Sequence, residues 1–131
     1  MRISSHLRLC WLVFIGVIAL GCLLPRASLH DPFLRAYVDS GWVHFLAYAA
    51  AATLSLLAWT RRTGIVLSFG LVISSVCLQI LRAQASGQVI DYYGTVINIL
   101  GITAGILLGL NILTLRSRAK QAPPAQAGRS H

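Results

Sequence analysis

His44 and Asp91 are the residues of this chain best suited to proton chemistry. General acid–base catalysis needs two titratable groups within reach of one substrate, and an imidazole with a carboxylate meets that need. His30, Asp31 and Asp39 could add ligands from a segment between two apolar runs. Nothing further completes a reaction centre. There is no Ser–His–acid spacing, no His-Glu-x-x-His and no glycine-rich phosphate loop after a strand. No residue is assigned as catalytic, and no metal or cofactor is expected. The stronger signal lies in neutral and basic hydrogen-bonding groups set into apolar surroundings: Tyr48, Gln79, Arg82, Gln88 and Asn98.

Those surroundings define the class of protein. Hydrophobic residues make up 56% of the 131, and charged residues only 11%. A soluble domain carries about 25% charge, so this surface is wrong for water. Four apolar runs, at 9–24, 42–59, 65–81 and 89–115, approach or exceed the ~20 residues a spanning helix needs. Pro25, the Arg61-Arg62-x-Gly64 break and the polar stretch 82–88 separate them. The expected fold is an all-α integral membrane four-helix bundle. A short N-terminus (1–8) and a disordered basic tail (116–131) flank it. Basic residues at the start, before the first run, also resemble a secretory signal, but an uncleaved first span is expected.

The net charge of +8 does not indicate nucleic acid, because the basic residues cap apolar runs instead of forming a stripe. Arg2, Arg8, Arg61, Arg62, Arg116, Arg118, Lys120 and Arg129 fall on one side, and Arg26, Arg35 and Arg82 on the other. This bias predicts both termini in the cytoplasm. Trp11, Trp42, Trp59, Tyr92 and Tyr93 lie near span ends, where interfacial anchors sit. Cys10, Cys22 and Cys77 have no ligand-like spacing and read as small buried apolar residues.

With that topology, the second and fourth spans begin, and the third ends, at the outer surface. His44 and Tyr48, Gln79 and Arg82, and Asp91, Thr95 and Asn98 then meet at one end of the bundle. Asp91, Thr95 and Asn98, at i, i+4 and i+7, share one helix face. Polar groups inside spans are costly, and their clustering points to a polar pocket open outward. Gly94, Asn98, Gly101, Gly105 and Gly109 form a small-residue ridge suited to close helix packing. The ridge leaves open whether its neighbour is the same chain or another copy.

These pieces together resemble the VanZ-like membrane proteins. His44-Phe45-x-x-Tyr48 is similar to that family's HFxxY motif. Gln79 matches its Gln, Gly87-Gln88-x-x-Asp91 resembles its GRxxD, and Asn98-x-x-Gly101-x-x-x-Gly105 its NxxGxxxG. The likeness covers roughly residues 5–115. Departures fall on charged positions. Gly41 stands where the family has Lys, Val76 where it has Glu, Gln88 where it has Arg and Gly94 where it has a second Asp. The resemblance implies a bacterial envelope protein of the inner membrane, in a family associated with resistance to the glycopeptide teicoplanin.

Three functions fit the residues. One is a pocket of His44, Tyr48, Gln79, Arg82, Gln88, Asp91 and Asn98 that meets a lipid headgroup, cell-wall precursor or glycopeptide. Another is a non-enzymatic assembly subunit, paired with a helix partner or a second copy through the glycine ridge. The third is a membrane-embedded enzyme using His44 and Asp91. Membrane lipids are the partners common to all three. The topology is testable in a variant whose three cysteines are replaced by Ser. Single substitutions Ser28→Cys and Ser86→Cys should react with an impermeant thiol reagent from outside intact cells, and Ser117→Cys should not. The reverse pattern would put the polar end in the cytoplasm.

Overall fold

A computed structural model describes residues 3–23, 32, 40–87 and 89–121. Among them are four helices: α1 (Ile3–Leu23), α2 (Gly41–Ala58), α3 (Arg61–Ser86) and α4 (Tyr92–Gln121). All four are long and apolar enough to cross a membrane. Leu9, Val17, Phe69, Ile73 and Leu107 lie exposed on the outside of the bundle. Such a surface is stable where hydrocarbon, not water, is the solvent.

The helices outrun the apolar runs. α1 begins inside the segment read as a separate N-terminus, and α4 continues six residues past Leu115. Residues 116–121 are therefore helical, not part of a disordered tail. Arg118 and Lys120 in its last turn suit the negative end of the helix dipole. At 1.5 Å per residue α4 is about 45 Å long against a ~30 Å hydrocarbon core, so its basic end projects well beyond the apolar zone.

α2 is the centre. Its run from Ala49 to Thr53 is nearly all alanine, and Ala51, Ala52, Ser55 and Leu56 are fully buried. Small side chains let three neighbours approach at once. α4 lies parallel to α2, and the glycine ridge faces it. A Cβ on Gly101 would collide with the Phe45 backbone, one on Gly105 with the Ala49 backbone, and one on Gly109 with the Leu56 side chain. The neighbour of the ridge is thus the same chain. Thr53 adds a bond across this seam, its hydroxyl 2.9 Å from the Ala49 carbonyl and 3.0 Å from the Gly105 carbonyl.

α3 returns antiparallel after a short turn, with the Thr60 hydroxyl accepting from the Thr63 amide at 3.4 Å. Gly64 presses on the Leu56 backbone, where any Cβ would sit 2.8 Å from its Cα. Ser68 donates to the Gly64 carbonyl at 2.9 Å, so its oxygen can accept from Ser55 at 3.0 Å. α3 closes on Gly87, whose φ of +63° is the left-handed cap that glycine accepts without strain.

α1 is held through Trp11 and Arg8. The Trp11 indole is 9% exposed and donates to the Ala51 carbonyl at 2.9 Å. Its ring meets Trp59 edge to face, 5.2 Å between centroids. Arg8 donates to the Ala58 carbonyl at 3.3 Å and lies over the Trp59 ring. Trp11 is therefore a core residue, not an interfacial anchor. Trp42, Tyr92 and Tyr93 are exposed, as anchors are. The cysteines also depart from expectation. Cys10 and Cys77 are exposed on the apolar outer surface and Cys22 is half-buried.

Packing at the ridge is backbone on backbone, so it cannot relax by a rotamer change. Gly105→Ala should destabilise the bundle by about 1–3 kcal/mol or more. Gly70→Ala, with nothing within 4 Å of its added methyl, should be neutral or stabilising by up to ~1 kcal/mol. Thermal melts of both variants in mild detergent check the contrast.

Candidate functional site

The end of the bundle opposite Arg8 and Trp59 collects the polar residues. α2 enters there with His44 and Tyr48, α3 leaves with Ser75, Gln79 and Arg82, and α4 enters with Asp91 and Asn98. Ser75, Gln79 and Arg82 fall at i, i+4 and i+7 and share one face of α3. Tyr48, Ser75, Gln79, Arg82 and Asn98, with Cys22 from α1 and Leu78, line gaps too narrow for a water molecule.

Within this nest most groups have partners. Tyr48 and Cys22 lie side by side, and the Arg82 guanidinium is close enough to act on the Cys22 sulfur. The Ser75 hydroxyl donates to its own helix at Val72, 2.9 Å away. Asn98 is buried most deeply without such a partner. It is 2% exposed, and its Oδ1 is fully buried with no donor in range. A buried acceptor left unpaired costs about 1–3 kcal/mol. In a bilayer no water is at hand to relieve it.

Asp91 stands apart from the nest. Its Oδ1 accepts from the Gly94 amide at 2.9 Å, the bond of a helix N-cap, and the Thr95 hydroxyl donates to its carbonyl at 3.0 Å. The negative carboxylate also suits the positive end of the α4 dipole. Gly94 makes this compact. A Cβ there would lie 2.6 Å from Asp91 Oδ2 and 3.2 Å from Gln79 Nε2. Gln79 thus lines the nest and also reaches the cap of α4. His44 is half-buried one turn before Tyr48, is engaged with other groups and does not line the nest. Gln88 lies outside the described residues.

So the structure gathers Tyr48, Gln79, Arg82 and Asn98 and leaves His44 and Asp91 outside them. Ser75 and Cys22 join the nest without having been singled out in the sequence. Ser75 was legible as the next position down the Gln79–Arg82 face. Cys22 was not, because the register of α1 depends on the tertiary bond from Trp11 to Ala51. Among the described residues no cluster of three His, Cys, Asp or Glu side chains could hold a metal. Chemically the nest offers a cationic fork at Arg82, a phenol, two carboxamides and one unanswered acceptor. That set is chemically suited to an oxyanion that also carries a hydrogen-bond donor.

Comparison with known protein families, with curated proteins and with solved structures finds no match.

The lone acceptor separates a binding role from a structural one. If Asn98 Oδ1 serves only the fold, it serves it badly. Asn98→Leu, of similar volume, should keep or raise the melting temperature of the detergent-solubilised chain. A loss of more than about 1 kcal/mol would show that the amide already holds the helices together.

Proposed function

We propose that this chain is a VanZ-like protein of the bacterial cytoplasmic membrane that binds the polar head of an envelope lipid at the nest. The carrying observation is the buried, unpartnered Oδ1 of Asn98 beside Arg82, Gln79 and Tyr48. Arg82 takes the phosphate oxyanion in a charge-assisted bond. A hydroxyl or ammonium of the head supplies the donor that Asn98 lacks. Arg82 ends the apolar stretch of α3, a depth at which a long cationic side chain reaches the headgroup region. Charge bias supports both termini in the cytoplasm, and the nest then faces the outer leaflet.

The gaps between the side chains are narrower than a water, so binding requires the nest to open. The Tyr48–Cys22 contact is the one to part, since a thiol is a weak hydrogen-bonding group and little is lost when it goes. The head of a lipid then offers Arg82 a charge-assisted bond in exchange for the contacts that opening breaks.

Catalysis has less support. Neither His44 nor Asp91, the pair best suited to acid–base work, lines the nest, and Asp91 is occupied in capping α4. An assembly role would need a surface other than the Gly101–Gly105 ridge, which α2 fills.

Losing a charge-assisted hydrogen bond costs about 1.5–3 kcal/mol. Arg82→Gln should therefore lower retention of phosphatidylglycerol by tenfold or more in native mass spectrometry of the detergent-extracted chain. Phosphatidylcholine, whose head has no donor, should be retained weakly by both proteins. Equal phosphatidylglycerol retention by wild type and Arg82→Gln would defeat the proposal.

A further inference from the structure

A second hollow adjoins the nest. Between α1 and α3 runs a cleft of about 380 Å³, walled by Ile15 and Ala19 on one side and by Leu71, Ser74 and Leu81 on the other. Tyr48 and Leu78 line both hollows. The cleft is the space that small side chains leave where α1 leans on α3.

Its walls are apolar in effect as well as in composition. Of the two hydroxyl-bearing residues that line it, Tyr48 is only 2% exposed, and the Ser74 hydroxyl donates to the Gly70 carbonyl of its own helix at 2.7 Å. Cys77 offers only a weak donor. A water in the cleft would lack the two to four partners it needs, so hydrocarbon is the suitable filling. The direction matters equally. Leu71 to Leu81 is ten residues, about 15 Å along α3. The next residue is Arg82. The cleft therefore runs lengthwise from the middle of the bundle and ends at the cation of the nest.

We infer that the α1–α3 cleft seats one acyl chain of an anionic phospholipid whose phosphate is held at Arg82. This rests on the headgroup reading above and specifies it: the ligand is a lipid that enters sideways from the membrane, not a soluble anion. Charge complementarity fixes the polarity of the chain. An acyl chain lies along the bilayer normal with its phosphate at the interface, as the cleft lies along the bundle with Arg82 at its end. The other cationic end of the molecule cannot serve, since Arg8 in the first half of α1 and Arg61 and Arg62 at the start of α3 lie toward the opposite end of the bundle.

The test uses the full chain in phosphatidylcholine nanodiscs doped with phosphatidylglycerol that carries a diazirine on one acyl chain. Cross-links mapped by mass spectrometry should concentrate on Ile15, Ala19, Leu71 and Ser74. Ala19→Trp, and independently Ser74→Leu from the opposite wall, should reduce them about tenfold or more. Excess unlabelled phosphatidylglycerol should compete, and soluble glycerol phosphate should not. Cross-links spread evenly over Leu9, Phe69 and Leu107 would overturn the cleft. If phosphatidylglycerol retention still depended on Arg82, the headgroup reading would survive that result. Displacement by glycerol phosphate would overturn the inference in favour of a soluble ligand. Loss of all selectivity for phosphatidylglycerol would remove both.

Discussion

Backbone contact between α2 and α4 is the constraint on which the polar end depends. Gly41 meets Ile97, Gly101 meets Phe45 and Gly105 meets Ala49, in steps of four residues on each helix. Two parallel helices can hold that register only where one of them lacks side chains. The same register carries Asn98 to the inside, one turn from Gly94 and next to Gly101. An asparagine in this position cannot turn outward without pulling the seam apart. Burial of Asn98 is thus a consequence of packing, whatever its role.

What differs between the two ends of the bundle is how buried polar groups are satisfied. Toward the basic end, Ser55, Ser68 and Thr53 answer one another or the carbonyls of Ala49, Gly64 and Gly105. The Trp11 indole and Arg8 guanidinium bond to α2 carbonyls. That end is closed in the sense that its donors have acceptors. Such bonds are ordinary interhelical glue, about 0.6–2 kcal/mol each. At the other end the Asn98 carbonyl oxygen has no donor. Had the nest been only glue, an apolar residue at 98 would pack as well and avoid the cost.

The parts legible in the sequence were those governed by local periodicity. Apolar runs placed four spans, and spacings of three and four placed the ridge and the Gln79–Arg82 face. Tertiary register decided the rest. Trp11 looks interfacial by its distance from the chain start, but α1 begins at Ile3, which moves Trp11 two turns into the bundle. Asp91 looks like part of a pocket by its i, i+7 relation to Asn98, yet the orphan amides of a new helix claim it first. Residues 116–121 look like a solvated tail by composition, but helix once started propagates cheaply past the membrane edge.

The positions that depart from the resembled family can be read the same way. Gly41 and Gly94 stand where charged side chains are expected, and each is now filled by a neighbour. Ile97 Cδ1 would be 2.6 Å from a Cβ at 41, and the Asp91 carboxylate 2.6 Å from a Cβ at 94. A charge restored at either place would have to displace packing that already exists. At both positions the neighbours already pack closely, and Asn98, Gln79 and Arg82 line the polar nest beside them. Such close packing accords with the proposed ligand, one that brings its own charge and donor, better than with a water-filled reaction centre. A lipid head, delivered from the membrane beside it, is such a ligand.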